Sequence, residues 1–151
     1  MQIEIEVSYN QVCVFDSSLE RPYNDWTAVQ TEQGFSWRRG SVSFRTDDTD
    51  TASTIVVEQR QEAPDMDGAA SVIRVPFDVP ASGLVEVGSV LSGIEVPLPH
   101  GSYALYFSHP LNTGEPFILT FVRSDGVASA VLKESATAKV QKSYDMQASA
   151  A

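Results

Sequence analysis

Seven carboxylates lie between residues 46 and 67, Asp47, Asp48, Asp50, Glu58, Glu62, Asp65 and Asp67, against the single base Arg60. Such a run can ligate a hard cation, present negative charge to a basic partner, or simply solubilise two loops. The stretch Asp65-Met66-Asp67-Gly68 opens like a calcium loop, but the later Asp or Asn and the closing Glu are missing at the required spacing, so no metal site is expected. Catalytic chemistry has equally little to work with. The two histidines, His100 and His109, stand beside prolines and read as surface turn residues. No nucleophile elbow, zincin motif, phosphate-cradling glycine loop or cysteine pair is present, so neither a catalytic residue nor a cofactor is expected and the chain does not read as an enzyme.

Charge then becomes the most direct functional signal. The chain carries a formal net charge of -10, of which residues 46–67 hold seven acids against one base, a local -6. Residues 36–45 are the exception, with Arg38, Arg39 and Arg45 and no acid. A surface this acidic repels phosphate backbones and lacks the basic stripe of a nucleic-acid binder, so direct DNA or RNA binding is not expected. The same field attracts a basic protein.

The elements that must position these residues have a period of two. Ile3, Ile5, Val7 and Tyr9 alternate with Glu4, Glu6 and Ser8, the pattern of a half-buried strand. Further strands are expected at 11–15, 41–46, 54–59, 71–79, 84–87, 93–97, 102–108, 117–123 and 128–133, separated by Gly, Pro, Asp and Ser clusters. This predicts an all-β fold, an antiparallel β-sandwich. One short helix is expected near residues 25–33, capped by Asn24 or Asp25 and ended by Gly34, with Trp26 anchoring it to the core. Residues 1–133 form the expected single sandwich domain and 134–151 a C-terminal helix or flexible tail. With 151 residues, 42% hydrophobic and 20% charged, the chain can fold as one domain.

The N-terminus has neither a basic n-region nor an apolar h-region, and no run reaches the roughly 18 apolar residues of a membrane span. Cys13, the one cysteine, cannot form an intramolecular disulfide and reads as a small core residue. A cytoplasmic protein without a membrane partner is the simplest expectation.

Aromatic residues supply candidate anchors, because Tyr23, Trp26, Phe35 and Trp37 cluster around the expected helix. Core packing is the competing role for both tryptophans. The segments Ser8-Tyr-Asn-Gln-Val-Cys-Val-Phe15, Asn24-Asp-Trp-Thr27 and Gly40-Ser-Val-Ser-Phe44, in that order and spacing, resemble the competence protein J family. A weaker match continues through 71–79 and Pro97-Leu-Pro-His-Gly-Ser-Tyr103 to about Phe107. The resemblance implies a small inhibitor of a secreted, metal-dependent DNase, in which one inhibitor carboxylate could reach the nuclease metal. An immunity protein against a toxin-type DNase would use the same chemistry.

Charge and resemblance agree on a nuclease partner whose basic groove is covered by acidic loops acting as a DNA mimic. The candidate nuclease-binding residues are Asp47, Asp48, Asp50, Glu58, Glu62, Asp65 and Asp67, with Tyr23, Trp26 and Trp37. The competing reading is a carbohydrate-binding-like sandwich that stacks a sugar on Trp26 and Trp37.

Overall fold

Alternation builds the first strand as the sequence requires: Ile3, Ile5 and Val7 are buried and Gln2, Glu4 and Glu6 face water in β1 (Gln2–Val7). In the computed structural model, which describes residues 1–47 and 51–151, ten further strands follow. They are β2 (Gln11–Asp16), β3 (Phe35–Arg38), β4 (Ser41–Arg45), β5 (Thr51–Arg60), β6 (Ala69–Val79), β7 (Leu84–Ser89), β8 (Ser92–Pro97), β9 (Gly101–Pro110), β10 (Phe117–Arg123) and β11 (Ala130–Lys133). They form a six-stranded sheet ordered β1-β5-β10-β9-β6-β11 and a five-stranded sheet ordered β3-β4-β2-β7-β8. The fold is the expected all-β sandwich. Its pairings are antiparallel except between β5 and β10, which run parallel. Between the sheets, Phe107 stacks on Phe44 with ring centroids 4.6 Å apart and on Phe117 at 5.8 Å, in a core of buried Val, Ile, Leu and Phe. Truncating Phe107 to Ala would cost about 3–5 kcal/mol.

The helix α1 (Ala28–Gln33) forms where expected, but neither Asn24 nor Asp25 caps it. Thr27 does. Its hydroxyl accepts from the Gln30 backbone N–H at 3.1 Å, and the Gln30 side chain accepts from the Thr27 N–H at 2.9 Å, a reciprocal capping box. Asn24 is held by tertiary contacts instead: its amide donates to the carbonyls of Ser36 and Ser41, and its oxygen accepts from Arg38. Gly34 ends the helix in the left-handed region, φ 90°. A Cβ there would also lie 2.6 Å from the Thr137 carbonyl, so glycine is required twice over.

That second requirement comes from the C-terminal segment. Residues 134–151 contain no helix; they run as an irregular strap along β3. The Gln33 amide holds it at one residue, donating to the Asp145 carbonyl (3.0 Å) and accepting from the Asp145 N–H (2.9 Å). Backbone bonds from Lys139 to Glu32, Ala148 to Trp37, Asp25 to Ser149 and Ala151 to Tyr23 continue the attachment. Tyr144 packs on Phe35 with centroids 5.7 Å apart.

The path from β5 to β6 matters most for function. The two strands point the same way in one sheet but are separated by β10 and β9, so residues 61–68 must travel back along the sheet's outer face. Beneath that crossing and the 124–129 loop, a second small apolar cluster forms from Ala69, Val72, Ala104 and Tyr106.

Candidate functional site

Two turns meet at one end of the sandwich. The first joins β1 to β2, and both its central residues, Tyr9 and Asn10, adopt left-handed φ values of 55° and 54°. Two consecutive positive φ angles suit a two-residue hairpin, and Asn tolerates them well; Tyr does so at a cost on the order of 1–2 kcal/mol. The second turn joins β7 to β8, with Leu91 at φ 66°. Serines lock the turns together. The Ser8 N–H donates to Ser89 Oγ at 2.9 Å, Ser8 Oγ donates to the Val90 carbonyl at 2.8 Å, and Ser89 Oγ donates to the Gln11 carbonyl at 2.6 Å.

The result is a rigid pair of tips from which Tyr9 (71% exposed) and Leu91 (85% exposed) project. Strained backbone holding a large side chain in water adds nothing to the stability of the folded monomer, which makes these tips candidates for a contact. Tyr9 was expected to continue the buried face of β1; the turn begins one residue too early for that. Tyr23 and Trp26 brace the tips from behind, the Tyr23 hydroxyl accepting from the Leu91 N–H at 3.1 Å and the Trp26 indole donating to Gln11 Oε1 at 3.4 Å.

The acidic segment reaches the same end. The Thr46 N–H donates to the Asn10 carbonyl at 2.8 Å, which sets Asp47 beside the first turn. The Asp47 side chain is 64% exposed, and one carboxylate oxygen lies 3.0 Å from His109 Nε2. It sits out of line for a hydrogen bond, so Nε2 has no hydrogen-bond partner. His109 is not the surface turn residue expected. It is the inward residue of β9, edge-on to the Phe117 ring at 5.2 Å, whereas His100 is exposed in a turn as expected. Asp48 and Asp50 lie outside the described residues. The strands on either side of them, β4 and β5, belong to different sheets.

Glu58 and Asp65 are brought together elsewhere, around a cavity of about 340 Å³ on the outer face of the six-stranded sheet, with Glu115 and His109 also in its lining. Glu58 is half-buried; Thr120 Oγ1 donates to it at 3.0 Å and Arg60 approaches to 3.8 Å. Glu62 and Asp67 are exposed on the 61–68 crossing, and the Asp67 N–H closes a local turn onto Asp65 Oδ1. Trp37 joins neither group. It packs against the core near the strap, its indole donating to the Pro76 carbonyl at 2.8 Å. Among the described residues, no three His, Cys, Asp or Glu side chains are placed to share a metal ion. Cys13 is fully buried, and burial pushes its thiol up to about 12.

Sequence reasoning missed Tyr9, Leu91, Ser108 and Glu115. The Tyr9-Asn10 pair was legible as a turn, since Asn favours the left-handed region, but the cross-sheet serine lock that fixes its exposure was not.

Comparison with known proteins adds the lineage. The model of the competence protein J (ComJ) family matches residues 4–122. A DNA-entry nuclease inhibitor of Bacillus subtilis (strain 168) is 27% identical over 103 residues, 68% of this chain and 76% of its own. Among solved structures, ComJ from Bacillus subtilis, an inhibitor of the DNA-degrading activity of NucA, superposes with a TM-score of 0.72 at 24% identity, over 82% of this chain and 96% of that one. The protein described as crocagin biosynthetic gene J gives a TM-score of 0.55 at 16% identity over the same shares. At these identities the two structural likenesses speak for the fold.

Proposed function

The chain belongs to the competence protein J family, and from that premise we propose that it is a nuclease inhibitor which covers the basic active-site groove of a metal-dependent DNase with the Asp47 end of the sandwich. The observation that carries this reading is the conjunction at that end of an outward carboxylate, Asp47, with two locked apolar tips, Tyr9 and Leu91. A groove that neutralises DNA phosphates is lined by cations, so carboxylates in the phosphate positions compete directly with substrate. Apolar anchors seated in pockets of the partner supply most of the binding energy, while the field of a chain with net charge -10 steers the encounter. Inhibition is thus charge mimicry for recognition and apolar anchoring for residence. The chain acts as a binding protein rather than an enzyme, and a cytoplasmic location is part of the same proposal.

The sugar-binding reading finds weaker support. The Trp26 indole is turned to Gln11 of β2, whereas Trp37, on β3, turns its indole across to the Pro76 carbonyl of β6 in the other sheet, so the two rings are held by different partners and do not form one stacking platform.

The test is a titration of the purified protein into a NucA-type nuclease with plasmid DNA as substrate, metal in excess, at low and high salt. Stoichiometric loss of cleavage, with association slowed by salt, is the expected result. Undiminished cleavage would mean that this chain shares the family's fold without its action, and a glycan screen would follow.

A further inference from the structure

The cavity on the outer face of the six-stranded sheet has a feature that its acids alone do not explain. Ser108 is only 6% exposed, and its Oγ is buried without a hydrogen-bond partner. By strand alternation it stands on the outer face of β9 with Ala104 and Tyr106, opposite the core residues Leu105 and Phe107, and it lines the cavity that the 61–68 crossing roofs. A buried hydroxyl is normally satisfied, so an unanswered one facing a cavity calls for an occupant that can hydrogen-bond to it.

The lining specifies that occupant's chemistry. Three carboxylates, Glu58, Asp65 and Glu115, face one guanidinium, Arg60, which already lies 3.8 Å from Glu58. Glu115 is fixed in place, its Oε1 accepting from the Asn112 N–H and side-chain amide at 2.9 and 3.0 Å. Pro64, Pro116 and Ile118 supply apolar wall between these polar groups. An anion would be repelled by the carboxylates, and a wholly apolar group would leave Ser108 unanswered and the excess negative charge uncompensated. A long aliphatic stem ending in a cation satisfies both kinds of lining, and that is the shape of lysine and arginine.

We propose that this cavity receives one cationic side chain, a lysine or an arginine, from the protein partner. The identity of that partner as a nuclease rests on the reading above; the recognition of a cation by the cavity does not. His109 ties the two regions to one end of the sheet, since it is among the residues around the cavity while its ring, on the inner side of β9, brings Nε2 to 3.0 Å from Asp47. A groove rich in Lys and Arg that covers the Asp47 end therefore has such side chains within reach of the cavity.

Two arms test this. In the first, methylguanidinium and n-butylammonium are titrated at millimolar concentrations into the protein alone and backbone amide shifts are followed by NMR. Saturable shifts centred on Ser108, Thr120 and Asp65 are expected, lost in Ser108→Val and weakened in an Asp65→Asn/Glu115→Gln variant, with inorganic phosphate inert. In the second, the same variants are assayed against a NucA-type nuclease, where a loss of inhibition of roughly tenfold is expected. Absence of localised shifts with both cations overturns the inference whatever the inhibition data say. Cation shifts in the wild type combined with full inhibition by folded Ser108→Val overturn the cavity as a partner contact. Should the wild type bind both cations there and inhibit no nuclease, the cavity stands as a site for a cationic side chain and the nuclease reading falls.

Discussion

The turns at the end of the sandwich that holds Pro80 and His100 are closed by contacts within the chain, whereas those at the Asp47 end project large side chains into water. Arg123 donates to the His100 carbonyl at 2.8 Å and lies 4.8 Å from the Tyr103 ring centroid. Arg39 faces Asp78 at 3.9 Å, an exposed pair worth only ~0–1 kcal/mol. Asp16 accepts from the Ser18 N–H and hydroxyl. Even the backbone there accommodates an internal partner: Gly101, at φ 147°, leaves the space into which the Arg123 guanidinium fits. The Asp47 end has equally tight turns, but they present Tyr9 and Leu91 to solvent and leave Asp47 mostly exposed. One end is closed by internal contacts, and the other carries the side chains that the proposed inhibition uses.

The contrast breaks first at the tips. Replacing Tyr9 and Leu91 together by Gly should weaken nuclease inhibition by roughly 100-fold, about 2.7 kcal/mol, measured as an inhibition constant. The same change removes two left-handed non-glycine residues, so the melting temperature should not fall. A parallel loss of stability and inhibition would indicate that the tips serve folding. The converse experiment is Gly101→Ala, whose Cβ would lie 1.8 Å from Arg123 Nη1. It should cost about 2 kcal/mol of stability in denaturant unfolding and leave inhibition within about twofold.

A smaller effect is expected from charge. Replacing Asp47, Asp48 and Asp50 together by Lys should weaken inhibition roughly tenfold, about 1.4 kcal/mol, chiefly by slowing association. The difference from wild type should shrink as ionic strength rises toward about 0.5 M. The core between the two ends should leave inhibition untouched and show itself only in stability at high pH. Because burial raises the Cys13 thiol from 9.0 to about 12, the unfolded chain loses that proton first as pH rises. Stability should therefore fall between these values relative to Cys13→Ala, by thermal melts across the alkaline range, and below pH 9 the difference between the two should no longer change with pH.

Much of the framework was legible because it is local. The alternation of Ile3, Ile5 and Val7, the glycine at 34 and the strand at 117–123 are properties of neighbours in sequence. The capping box was legible too, since Thr27 and Gln30 stand at the required spacing, yet Asn24 and Asp25 are stronger caps by type and drew the expectation. Asn24 is instead consumed by Ser36, Ser41 and Arg38, contacts that only the fold creates. The four-residue strand β3 was missed because Phe35–Arg38 is too short for its alternation to register. The strap eluded reading for the opposite reason: its order comes from Gln33, Trp37 and Tyr23, more than a hundred residues away in sequence.

For the site, charge gave the acidic segment and composition gave the aromatics, but not which of them share a surface. Asp47, Tyr23 and Trp26 meet at one end, Glu58 and Asp65 at the neighbouring cavity, and Trp37 at neither. His109 read as a turn residue because Pro110 follows it, and it is buried because the strand runs on through that proline at the sheet's end.

The measurement that bears most directly on the Asp47 end as the inhibitory face is hydrogen–deuterium exchange of the chain alone and bound to a NucA-type nuclease. Slowed exchange in the complex at residues 8–11, 46–47 and 89–92, with residues 80–83 and 98–102 unchanged, is the result this account predicts. Protection confined to 80–83 and 98–102, with the Tyr9 and Leu91 turns exchanging as in the free protein, would contradict it.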